Sequence, residues 1–123
     1  MGRPHIDSTA FGSITIEGAV FEHDVVIASD GAVTKRKKKL SKSVYGSSHT
    51  ISLGEIEDVV GRGRDADELI VGSGQYDNVR LSPEAAAFVE QRDCRVLLLP
   101  TPEAIGAWNQ ARGKAIGLFH VTC

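Results

Sequence analysis

Three clusters of residues have the types and spacing for chemistry. Gly72-Ser73-Gly74-Gln75 follows an apolar run and has the character of a phosphate-cradling loop, where backbone amides approach an anion with no side chain between them. The dinucleotide fingerprint is incomplete: Asp77 occupies the third glycine's position, eight residues separate Gly74 from Pro83, and a P-loop lysine is absent. His120-Val121-Thr122-Cys123 offers a nitrogen and a sulfur. A metal centre takes three or four ligands, and only His23 and His49 are plausible additions. In an extended strand, residues 120 and 123 also point to opposite faces. No metal site and no cofactor is assigned.

A nucleophilic Cys123, with His49 or His120 as its base, needs surroundings that stabilise thiolate. The α-carboxylate of a final residue opposes that second negative charge. The third cluster, Lys35-Arg36-Lys37-Lys38-Lys39 with Lys42 nearby, has the charge to contact phosphate. No aromatic residue interleaves it for base stacking. A solvated loop, or a strand edge protected by lysines, is the expected role. Nucleic acid is therefore set aside as a partner.

These residues must be positioned by two different halves of the chain. The first half reads as antiparallel hairpins: Ile14, Ile16 and Val20 alternate around a Gly18 turn, and Asp24 to Ala28 is rich in β-branched residues. Ser29-Asp30-Gly31 supplies the hairpin turn before Ala32-Val33-Thr34. Residues 35–48 carry no apolar periodicity and read mostly as loop. Ser52-Leu53-Gly54-Glu55 fits a reciprocal capping box opening a short helix through Val60, with Ile56, Val59 and Val60 inward.

The second half changes period to β-α-β-α-β. Apolar runs at Glu68–Val71, Arg95–Leu99 and Ala115–Val121 predict buried strands. Ser82-Pro83-Glu84 and Thr101-Pro102-Glu103 carry matching helix-start signals. Ala104, Ile105, Trp108 and Ala111 mark the second helix's buried face, and Asn109 within it needs a partner from a loop or a ligand. A strand followed by one packed helix returns parallel, through right-handed crossovers. The carboxyl ends then share one edge, gathering Gly72, Ser73, Gly74, Thr101, His120 and Cys123. Ligands of open α/β sheets settle at that edge, so these six are the candidate ligand-binding residues.

The chain's 123 residues predict one domain over 1–123, and 41% hydrophobic with 24% charged residues at net charge -2 is ordinary globular composition. Thirteen glycines against four prolines point to many tight connections. The longest apolar run, around Val96–Leu99, is far too short to span a membrane. The N-terminus has no secretory h-region, and after Gly2 the small hydroxyl residue wanted at position six is replaced by Ile6. A cytoplasmic location with no membrane partner is expected, and Cys94 and Cys123 are then free thiols.

Several segments together resemble one family. They are Phe11-Gly12-Ser13-Ile14, Ser41-Lys42 through Tyr45-Gly46 to His49, Leu69 to Gly74, the Thr101/Ala104/Asn109 spacing and His120-Val121-Thr122-Cys123. The chain is similar, from about Ile6 to Cys123, to the small uncharacterised Mth-nine-three-eight-like domains. Relatives of that family include an adipogenesis-associated protein and a mitochondrial complex I assembly factor. The resemblance implies a three-layer α/β domain with a central mixed, partly parallel sheet, and it supplies no catalytic residues. In such a sheet, the direction of the last strand decides where His120 and Cys123 lie. Two functions stay open: a non-enzymatic binding or assembly-type domain holding an unknown protein or small-molecule partner, and a small-molecule enzyme or carrier. The latter's pocket would combine the Gly72–Gly74 loop, Thr101 and Cys123.

Overall fold

The computed structural model describes residues 3–63 and 65–123; the reading made at Gly2 lies outside them. Strands β1 (Ile6–Ala10), β2 (Ser13–Ile16), β3 (Ala19–Phe21), β4 (Val25–Ile27) and β5 (Val33–Lys35) come first. Helix α1 (Lys39–Tyr45), β6 (Thr50–Ile51) and α2 (Leu53–Val60) follow. The chain continues with β7 (Glu68–Ser73), β8 (Arg80–Leu81), α3 (Pro83–Gln91), β9 (Arg95–Leu99), α4 (Thr101–Gln110) and β10 (Ala115–His120).

The central sheet has the order β5-β4-β10-β7-β9. Strand β7 is parallel to both β9 and β10, as single-helix connections require, whereas β4 runs antiparallel to β10 and β5. The sheet is mixed, and its last strand keeps the direction of β7. Both faces of β7 and β10 are covered, which is why each reads as a continuous apolar run. Leu69, Val71, Ile116 and Leu118 pack with Ile56, Val59 and Val60 of α2 and Ala85 and Val89 of α3. Ile70, Ala115 and Phe119 pack on the other face against Ala104 and Trp108 of α4 and against Ile6, Ile14 and Ile16 of the β1-β2-β3 sheet. These are three layers. Gly117 faces the second cluster, where a Cβ would collide with the Phe119 ring. Its lack of a side chain makes room for the Trp108–Phe119 edge-to-face pair.

Several local readings change. Residues 39–45 form α1 rather than loop. Its inward residue is Ser41, with Leu40, Val44 and Tyr45 exposed, so no apolar stripe announces it. The Ser41 hydroxyl donates to the Glu55 carboxylate and accepts the Ser52 amide at 2.9 Å, anchoring the helix by polar contacts. Only half of the capping box forms: Ser52 Oγ accepts the Glu55 amide at 3.2 Å, while the Glu55 carboxylate turns to Ser41 and Arg36. Strand β1 carries little apolar signal because neighbours hold its backbone. Asn109 accepts the Ile6 amide at 2.9 Å and donates to the Ile6 carbonyl at 2.8 Å, giving that helical asparagine its partner. Val20 lies exposed on the small sheet's edge strand. Strand β9 is also an edge, so Val96 to Leu99 are half-buried rather than fully covered.

Candidate functional site

The carboxyl ends of β7 and β10 meet the start of α4. Thr101 is the junction: its Oγ1 accepts the Gly74 amide at 2.9 Å and donates to the His120 carbonyl at 2.6 Å. The Thr101 amide in turn donates to the Gly74 carbonyl at 3.0 Å. Helix α4 starts at Thr101 as expected, but Thr101 does not cap it in the way that Ser82 caps α3. Pro100 occupies the N-cap without a side-chain hydrogen bond, and the fully buried threonine serves the neighbouring strands instead.

The glycine loop is needed for close packing. Gly74 has a φ of +100°, and a Cβ there would lie 2.5 Å from the Cys123 backbone; one on Gly72 would lie 2.8 Å from Thr101 Oγ1. The Gln75 amide donates to the Thr122 carbonyl at 2.7 Å, and the Asn78 amide to Cys123 O at 3.2 Å. Gly72, Ser73, Gly74, Thr101 and His120 are all buried, whereas Cys123 is half-buried. The structure brings the six candidate residues together. The Gly74 and Gln75 amides, pictured as an anion cradle, are occupied by the chain's own oxygens.

Beside this rim lies an ionic cluster that sequence reasoning missed. Arg36 leaves the end of β5 and is 3% exposed, so it does not belong to a solvated basic run. Its Nε and Nη2 donate to Glu55 at 2.5 and 3.0 Å, its Nη1 to Asp24 Oδ2 at 2.9 Å, and its Nη2 also to the Ser48 carbonyl at 2.8 Å. The planar guanidinium suits this two-pronged contact better than an ammonium. Asp24 also receives the His120 Nδ1 proton at 2.7 Å and the Val121 amide at 2.8 Å. Burial pushes the Asp24 carboxyl up, but the His120 hydrogen bond and charge, the Val121 amide and Arg36 outweigh it and hold the group at about 2. Burial likewise works against the charge on Arg36, and Glu55 and Asp24 more than restore it, raising its pKa. A lone arginine among lysines, and a glutamate in a capping position, were the available signals. Neither reveals burial, which depends on β5 and α2 being neighbours in space.

Cys123 Sγ lies 3.6 Å from His49 Nε2. The His49 ring packs edge-on to His120, with centroids 5.6 Å apart, while Thr122 Oγ1 sits 3.1 Å from His120 Nε2. Of the two histidines weighed as partners for the thiol, the structure sets His49 against it and turns His120 toward Asp24. Cys94 and Cys123 are both free. Among the described residues, no three His, Cys, Asp or Glu side chains are grouped to hold a metal ion.

An open groove lies elsewhere. It has a volume of about 880 Å³ and runs between α3 and β9, lined by Leu81, Pro83, Ala86, Cys94, Val96 and Leu98. No helix among the described residues is long and apolar enough to cross a membrane.

A family defined as proteins of unknown function, DUF498/DUF598, matches residues 6–117. The chain belongs to that family. This DUF498 domain is 35% identical to the conserved hypothetical protein PH1505 from Pyrococcus horikoshii OT3, with 96% of this chain and 98% of that one aligned at a TM-score of 0.89. A solved structure described as MT938 is 31% identical over 98% of this chain and 99% of its own, with a TM-score of 0.80. A Bordetella pertussis protein described as a Mth938-like domain shares the fold at 17% identity, covering 96% of this chain and 85% of that one with a TM-score of 0.61. These likenesses agree with the resemblance carried by the sequence segments and with a mixed α/β architecture.

Proposed function

We infer that the DUF498 domain acts as a non-enzymatic binding or assembly-type domain over residues 1–123, in the cytoplasm. One observation carries this reading. The polar groups at the carboxyl rim are consumed by one another, while the open apolar concavity lies along α3 and the free side of β9. Enzymes need groups poised toward a substrate; here Thr101, Asp24 and Arg36 are turned toward polar groups of the chain itself. The test is a screen of metabolites for turnover and for thermal stabilisation. No turnover is expected. Conversion of a defined metabolite that disappears in Cys123→Ser, with the fold retained by circular dichroism, overturns the reading.

A second reading, a small-molecule enzyme or carrier using the Gly72–Gly74 loop, Thr101 and Cys123, is favoured by the thiol–imidazole contact at 3.6 Å. His49 Nε2 is placed to accept the thiol proton, which would leave sulfur as the nucleophile. Iodoacetamide alkylation separates the two. Cys123 reacting about tenfold faster than a peptide thiol, and slowing in His49→Ala, favours the second reading, because thiolate fraction sets the rate. Alkylation at the peptide rate, with no ligand raising the melting temperature, removes it.

A further inference from the structure

The two edges of the central sheet are treated differently. Strand β5 is three residues long and runs into the lysines at 35 and 37–39, a common protection against strand pairing. Strand β9 is five residues long and has one charge, Arg95 at its start, while from Val96 to Leu99 it carries no charge, proline or bulge. The Arg95 amide donates to the Asp67 carbonyl at 2.9 Å, so the backbone groups of Arg95 face the β7 side. Alternation along a strand then turns the N–H and C=O of Leu97 and Leu99 the same way, and those of Val96 and Leu98 outward. The side chains of Val96 and Leu98 line the groove beside α3, where Ala86 and Ala87 keep the helix surface low.

We propose that β9 pairs antiparallel with β9 of a second copy of this chain, about a two-fold axis at Leu97, forming one continuous sheet across a dimer. This rests on the assembly reading above and names its partner. The register follows from the free groups. Centring on Leu97 sets Val96 opposite Leu98 of the other copy, so the outward groups of both pairs are satisfied reciprocally. A shift toward the N-terminus would use the Cys94 amide, which donates to Val89 within its own chain, and a shift toward the C-terminus meets Pro100, which has no donor.

Charge selects the same partner. Helix α3 runs from Pro83, next to Arg80, to Gln91, so the groove has Arg80, exposed and 3.2 Å from Asp77, at one end, and Glu90 and Asp93 at the other, where Arg95 is held by Glu68 of its own sheet at 3.3 Å. An antiparallel two-fold brings the arginine end of each copy to the acidic end of the other. The contact is self-complementary, as an isologous interface must be.

Sedimentation equilibrium and amide exchange on the full chain test this. Dimers are expected, with Val96 and Leu98 amide exchange slowing as concentration rises. Val96→Pro removes an outward donor that the fold itself does not use, and weakens association by about tenfold or more. Glu90→Arg and Arg80→Glu each weaken it, and the double variant recovers it. The charge pair decides the matter should Val96→Pro fail to fold. A monomer at all concentrations overturns the proposal, as does a dimer indifferent to these changes. If the chain stays monomeric while an unlike protein protects the Val96 and Leu98 amides, the second copy is wrong and the assembly reading stands. Turnover lost in Cys123→Ser would instead sink that reading without touching the dimer.

Discussion

Arg36 holds two buried carboxylates, so its removal strands charge rather than merely losing a contact. Arg36→Met leaves Asp24 and Glu55 without their cation and is expected to cost about 3–5 kcal/mol, read as a lower denaturant midpoint at unchanged slope. The acid limb of stability follows from Asp24. Its folded pKa of about 2 lies below the ordinary 3.8, so its contribution is complete above about 4 and is lost as pH falls through about 2. The difference corresponds to about 2 kcal/mol, and Asp24→Asn is expected to flatten that part of the stability–pH curve. A variant whose acid limb matches that of the parent chain would contradict this account.

The helix starts at Ser82 and Thr101 look alike in sequence and differ in what their hydroxyls do. Ser82 Oγ accepts the Ala85 amide at 3.1 Å, a single local bond. Ser82→Ala is expected to cost about 1 kcal/mol. Thr101 ties α4 to the ends of β7 and β10, so Thr101→Val is expected to cost about 1–3 kcal/mol for each of the two backbone groups left buried without a partner. Urea unfolding of both variants compares them directly, and equal losses would contradict the junction role. The Ser82 cap was legible because its signal is contained within four consecutive residues. The Thr101 junction was not, since its partners stand 27 and 19 residues away.

At the scale of the molecule, the basic segment separates into one structural arginine and a solvated set. Lys37 is 60% exposed and sits 3.8 Å from Asp58, a surface pair of little energetic weight. Replacing Lys35, Lys37, Lys38 and Lys39 with serine while keeping Arg36 is expected to change stability by no more than about 0.5 kcal/mol. Neither that variant nor the parent chain is expected to hold an oligonucleotide at low salt. Retention by the parent that is lost in the variant, and that falls steeply with added salt, would revive nucleic-acid contact.

Apart from the two-residue β8, the strands and helices of the second half, the hairpin at Gly31, the parallel return of β9 and β10 and the family itself were present in the chain's pattern. Each depends on near-neighbour chemistry: apolar runs between turn residues, caps at helix starts and single-helix connections. Helix α1, the exposure of β9, the inward turn of Arg36 and the filling of the carboxyl rim were decided only by the tertiary structure. All four depend on which surfaces the other elements leave open, and that follows from packing in three dimensions rather than from any short stretch of sequence.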